Sequence, residues 1–193
     1  NLQAVSALLR LQARKTKSDE VKKEPEEAQR RVQTIAMVHE GLSQSADEVV
    51  DFDKVIANLL RMSVDLASMS EQHITIDFVG KFGMMPAQDA TPLSLVLTEL
   101  ITNAVEHGYE GRTEGHIVVS VGREGNHLSI CVEDDGNGID HEEQDGMART
   151  SGSGLGTQII NTFVTNDFGG TVTWEPAREG GTRVLLDIKL RAA

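Results

Sequence analysis

The chain has 193 residues, 39% of them hydrophobic and 25% charged, enough for one good core and a smaller appendage. A net charge of −12 argues against a phosphate backbone as partner, and 4% aromatic residues leave few stacking platforms for single-stranded nucleic acid. No apolar run approaches a membrane span, no signal peptide is present, and the single cysteine, Cys131, cannot form a disulfide framework, so a cytoplasmic protein with no membrane and no direct nucleic-acid partner is expected.

The chain opens in mid-helix, with Leu2, Val5, Leu8, Leu9 and Leu11 making a wide apolar stripe over residues 1–17. Residues 15–27 are charged, contain Pro25 and read as a loop. From about Glu26 to about Ser45 a second helix places Ala28, Val32, Ile35, His39, Leu42 and Ala46 at alternating steps of four and three, the heptad seam of a helical hairpin. Two such helices cannot bury both stripes alone, so pairing with a second copy into four helices, a homodimer, is expected. His39 on the seam reads as a partly buried core histidine. Residues 47–52 break the register and read as a linker, dividing the chain into residues 1–48 and residues 49–193. The first part holds equal numbers of acidic and basic residues, so the net charge of −12 falls entirely on the second.

A third helix is predicted over about 53–68, with Val55, Ile56, Leu59, Leu60 and Leu66, and Ile74, Ile76 and Phe78 alternate as a strand. Gly80 to Gln88 reads as a loop, followed by a helix that starts near Asp89, tolerates Pro92 in its first turn and runs to Gly108. Ile117, Val119 and Val121, then Leu128, Ile130 and Val132, form two strands about a Gly125-Asn126 hairpin turn, with Cys131 read as a buried thiol. Residues 141–149 are polar and aperiodic and read as a mobile loop. A helix with Ile159, Ile160, Phe163 and Val164 ends at Gly169-Gly170. Two last strands follow, one with Val172 and a core Trp174, one with Val184, Leu186, Ile188 and Leu190, joined by a turn at Arg178–Gly181.

Glu99, Asn103 and His107 recur every four residues and so project from one face of their helix, while Leu97, Leu100, Ile101, Ala104 and Val105 read as core. Such a row lines a polar ligand site or simply a solvated face. Gly152, Gly154 and Gly156 open directly into a helix, whose free N–H groups and dipole favour an anion; they read either as a phosphate cradle or as a flexible loop. Their spacing is that of neither a dinucleotide fingerprint nor a P-loop. Asp134 ends an apolar strand and is followed by Gly136 and Gly138, which allow close approach of a ring. A carboxylate there accepts hydrogen bonds only and selects a ligand edge bearing an N–H donor, such as an exocyclic amine. The amide oxygen of Asn103 is a hard ligand suited to Mg²⁺ shared with phosphates.

Four ordered stretches, Glu99–Gly108, Asp134–Ile139, Gly152–Gly156 and Gly181-Thr182, resemble the N box, two glycine boxes and terminal Gly-Thr of the GHKL (HATPase) ATP-binding fold. Asn1-Leu2-Gln3 with Ser6–Gln12 and Val38-His39-Glu40 resembles the dimerisation hairpin of the HisKA_2 subclass of sensor histidine kinases, most closely its cytosolic PdtaS-like group. The resemblance implies an α+β architecture, a two-helix hairpin followed by an α/β sandwich. It also implies ATP and Mg²⁺ as cofactors and a response-regulator receiver domain as partner. By the same resemblance Asp134 binds the adenine amino group, with Gly136, Gly138 and Thr182 lining the ring, and Asn103 coordinates Mg²⁺. Gly152, Gly154, Leu155 and Gly156 bracket the phosphates under a lid at 140–151, and Glu99 is the acid that orients or deprotonates the attacking group. The chemistry is phosphoryl transfer, mostly positioning and charge neutralisation.

Three departures from the family pattern stand out. The phosphoacceptor histidine of the subclass would fall a few residues before Asn1, His39 matching another position, so this chain is expected to bind ATP without phosphorylating itself at the usual site. Many relatives carry a lysine three residues after the N-box asparagine where this chain has Glu106, so His107, Arg112 or Arg149 is expected to help neutralise phosphate. The lid lacks a phenylalanine-rich segment and reads as short and poorly anchored. The alternatives to a histidine kinase are a GHKL anti-sigma-type serine kinase or ATP-gated binding module, which lacks the hairpin, and a degenerate kinase with an empty site.

Overall fold

Alternation of apolar and polar residues builds one face of a sheet that must be covered, and two helices cover it. The computed structural model describes residues 32, 34, 36, 49–58, 73–138, 155–178 and 180–191. All of the hairpin but residues 32, 34 and 36, with His39 in it, the later part of the third helix, the lid, and Gly152 and Gly154 lie outside the described residues.

The elements in order are β1 (Val49–Asp51), a helix α1 at residues 52–58, β2 (His73–Gly80), β3 (Met84–Pro86), α2 (Ala87–Asn103), β4 (Glu114–Glu124), β5 (His127–Asp134), α3 (Leu155–Thr162), β6 (Thr171–Pro176) and β7 (Thr182–Lys189). β2, β4, β5, β7 and β6 form a five-stranded mixed sheet in that order. Only the β2–β4 pair in it is parallel; the rest are antiparallel. A parallel neighbour needs a crossover, here the stretch through β3 and α2. Ile117 and Val119 of β4, Leu128 and Ile130 of β5 and Leu186 and Ile188 of β7 meet Leu93, Leu97, Leu100 and Ile101 of α2 and Ile159 and Ile160 of α3 in one buried core.

Both helices end in a π turn, Ala104–Gly108 after α2 and Phe163–Asp167 after α3. α2 starts two residues earlier than predicted, at Ala87, so Pro92 falls inside it, beyond the first turn.

The stretch read as a linker is part of the fold. Val49, Val50 and Asp51 pair antiparallel with Pro86, Met85 and Met84, which also makes a strand of residues read as loop. Phe52 is fully buried, edge-on to Phe82 with ring centroids 5.0 Å apart. The Asp53 carboxylate accepts the N–H groups of Phe82 at 2.8 Å and Gly83 at 2.9 Å, and Arg123 donates to the Phe82 carbonyl. These bonds fix the turn that leads into α2. Strand parity corrects one further reading and strand position qualifies another. Cys131 alternates with the buried Ile130 and Val132, so it faces away from the core and is half-buried, its Sγ accepting from Arg183 Nε at 3.3 Å. Trp174 packs against the core but stays half-buried, because β6 is an edge strand.

Candidate functional site

The C-terminal end of α2 and the end of β5 face each other through the π turn. Within α2 the four-residue spacing of Glu99 and Asn103 survives, and both side chains point toward the start of α3. A Cβ built on Gly156 would lie 2.6 Å from Glu99 Oε2 and 3.4 Å from Asn103 Oδ1, so a side chain at the start of α3 would push the Glu99 carboxylate aside. Glu99 is buried and Asn103 is half-buried. The next step of the row is altered. The π turn adds one residue per turn, and it carries Gly108, not His107, to Asp134: a Cβ on Gly108 would sit 3.3 Å from Asp134 Oδ1, while His107 is exposed.

Asp134 is only 6% exposed, at the end of β5. Its Oδ1 accepts two backbone N–H bonds, from Gly136 at 3.0 Å and from Thr182, the first residue of β7, at 3.2 Å. Burial raises the carboxyl above its ordinary pKa, and those two amides partly offset the rise. The backbone crowds round it: a Cβ on Gly136 would overlap the Gly108 carbonyl, and one on Gly181 would overlap the carbonyl of Asp134 itself. Gly138 lies beside Gly181. Leu155, the first residue of α3, is buried in the core.

The tertiary structure thus brings Asp134, Gly136, Gly138 and Thr182 together, and separately Glu99, Asn103 and Gly156. It leaves His107 on the surface, and Glu106 is exposed as well. Arg112, one of three residues expected to help neutralise phosphate, donates to the carbonyl of Asp135. Asp135 is the hub that sequence reasoning missed. Its N–H donates to the His116 carbonyl at 3.2 Å and its Oδ1 accepts from His116 N at 2.8 Å. Burial works to raise its carboxyl, but the His116 amide, the Tyr109 hydroxyl and Arg112 together hold it below the usual range. The fully buried Tyr109 places its hydroxyl within 2.8 Å of the His116 carbonyl as well, so its single proton is shared between that carbonyl and Asp135. No local signal ties residue 112 to residue 135; only the register of β4 against β5 does.

A mixed sheet covered by two helices, with a recessed carboxylate at the end of one strand and a carboxylate and an amide on a helix beside the start of the next, is the arrangement of the GHKL-type α/β sandwich. The chain belongs to the family of histidine kinase-, DNA gyrase B- and HSP90-like ATPases, whose model matches residues 88–192; residues 1–67 match the HisKA_2 histidine kinase model. It is 39% identical over 191 residues, 98% of its length, to the sensor histidine kinase PdtaS of Mycolicibacterium smegmatis. It is 40% identical over 189 residues, 97% of its length, to PdtaS of Mycobacterium tuberculosis H37Rv. The chain spans 37% of the length of each of these relatives. In fold it is similar to the histidine kinase domain of the Erythrobacter litoralis blue-light activated kinase EL346, with a TM-score of 0.69 at 20% identity, over 84% of this chain and 74% of that one. Among the described residues no helix is long and apolar enough to cross a membrane.

Proposed function

We propose that the chain is the catalytic core of a sensor histidine kinase that binds MgATP and moves the γ-phosphoryl group to a histidine, for relay to a response-regulator receiver domain. The observation that carries this reading is the recessed Asp134, whose Oδ1 is held by two backbone amides amid glycines that leave no room for side chains. One carboxylate oxygen so occupied leaves the other to accept the adenine amino group. Gly138 and Thr182 line the ring, and Gly156, with Gly152 and Gly154, brackets the phosphates at the start of α3.

Asn103 offers a hard amide oxygen beside Gly156, which fits one protein ligand to a hydrated Mg²⁺. When bound, that ion neutralises charge on the phosphate oxygens. Glu99, buried beside Asn103, orients the attacking imidazole and takes its proton. Residues 1–48 make the dimerisation hairpin and residues 49–193 the ATP-binding domain, in a cytoplasmic homodimer. A GHKL anti-sigma-type serine kinase would share the site, and the HisKA_2 match over residues 1–67 favours the histidine kinase.

The proposal places the acceptor ahead of Asn1, following the HisKA_2 resemblance, so the assay uses the N-terminally extended chain with γ-labelled MgATP. Acid-labile label on histidine, lowered about a hundredfold or more by Glu99→Gln at unchanged MgATP affinity, is the expected result. Label resistant to acid, on a serine of a partner, would overturn it.

Affinity should also depend on pH. Protonation of Asp134 falls on the oxygen the two amides leave free and turns that acceptor into a donor, so MgATP binding is expected to weaken as pH falls through a pKa raised above the ordinary carboxylate value. On stability the sign is opposite: the folded state binds the extra proton, so the cost of burying this carboxylate is present above its folded pKa and is relieved as pH falls through it. Calorimetric titration with MgATP across the acid range reads the first effect, and melting without nucleotide reads the second.

A further inference from the structure

We infer that Arg112 is a positioning residue for adenine recognition, acting through the peptide unit between Asp135 and Gly136. This rests on the nucleotide reading of Asp134 and deepens it.

A peptide unit is a rigid plane with its C=O and N–H on opposite sides. At Asp135-Gly136 both ends are engaged. The carbonyl of Asp135 accepts from Arg112, and the N–H of Gly136 donates to Asp134 Oδ1 at 3.0 Å. The guanidinium therefore holds one end of the plane whose other end holds the acceptor carboxylate. Rotating that plane would break both bonds together. A cation on the carbonyl also polarises the amide and strengthens the hydrogen bond its N–H makes.

Arg112 is itself fixed. Its guanidinium lies over the Tyr109 ring, 5.6 Å from the centroid, and its own N–H donates to the Tyr109 carbonyl at 3.0 Å. Tyr109 follows the π turn directly, and Asn137 tightens the same junction, its N–H donating to the Gly108 carbonyl at 2.7 Å and its side chain to the Glu110 carbonyl at 2.9 Å. The end of the N-box helix and the first glycine box are thereby joined on the base side of the site. Arg112 serves the base, not the phosphates.

The test compares ATP with purine riboside triphosphate, which lacks the amino group, by calorimetric titration of the 193-residue chain and its Arg112→Ala and Arg112→Gln variants. Melting temperature is followed in each. For the unaltered chain ATP should bind more tightly than the analogue. In Arg112→Ala, ATP affinity should fall about tenfold while affinity for the analogue stays nearly constant, so discrimination collapses. Arg112→Gln keeps a neutral donor to the same carbonyl and should restore part of the discrimination. It also carries the test should the alanine variant not fold. A merely structural role would lower both affinities alike or leave both unchanged, and either result in a folded variant overturns the inference. If the unaltered chain binds neither nucleotide, the nucleotide reading itself fails; if it binds ATP and loses it in Asp134→Ala yet keeps full discrimination in the Arg112 variants, only this inference fails.

Discussion

Asp134→Ala is expected to weaken MgATP binding by at least a hundredfold, about 3 kcal/mol, the largest effect of any single change at the site. Two losses combine. The ligand loses its acceptor, and the N–H groups of Gly136 and Thr182 lose the oxygen that holds them at 3.0 and 3.2 Å. Alanine alone would confuse the two, since an unpaired amide also loosens the loop. Asp134→Asn separates them: its carbonyl oxygen still serves both amides, and its NH₂ confronts the amine donor to donor. The asparagine variant should therefore melt close to the unaltered chain and still fail to bind. Asparagine binding MgATP as tightly as aspartate would remove the adenine amine from this carboxylate and, with it, the main support for the kinase reading.

Arg191→Ala should cost about 3 kcal/mol of stability and lower the melting temperature by roughly 10 °C, with little effect on nucleotide affinity. Asp89, in the first turn of α2, has a side chain with 0% exposure, and it accepts both the backbone N–H of Arg191, at 2.8 Å, and the Arg191 guanidinium. The same guanidinium lies 3.8 Å from Asp167, whose carboxyl burial pushes up and Arg191 draws back. Truncating the arginine leaves a buried carboxylate with one neutral partner. Because the Arg191 side chain is 38% exposed, water screens part of the pair, which puts the cost at the low end of the range for buried ion pairs. Adding Asp89→Asn to Arg191→Ala should recover most of the loss, as the remaining group no longer carries charge. A single-variant loss under about 1 kcal/mol would show that solvent already screens the pair.

Much of the central sheet was legible because β-strands obey a period of two. Ile74 to Phe78, Ile117 to Val121, Leu128 to Val132 and Val184 to Ile188 alternate cleanly, and each lies in a strand. The end of β5 was equally plain, since an apolar alternation that stops at an acid followed by glycines marks a polar group at the rim of a core. β1 was not legible. Val49, Val50 and Asp51 make a strand only because Met84, Met85 and Pro86 lie beside them, and three residues are too few for periodicity to show. The extension of Glu99 and Asn103 to His107 assumed 3.6 residues per turn throughout. The π turn at Ala104–Gly108 breaks that assumption, and Gly108 takes the place facing Asp134.

The sequence by itself determined which residue types were on offer: a carboxylate ending an apolar strand, a carboxylate and an amide one helical turn apart, and glycines where backbones meet. Local chemistry suffices for these, because strand and helix periods act over a few residues. The tertiary structure alone decided which of them meet. It set Thr182 against Asp134, 48 residues apart, and Arg112 against Asp135, 23 apart. Such pairs follow from strand register and one extra residue in a helical turn, which depend on how the whole core packs and leave no mark on neighbouring residues.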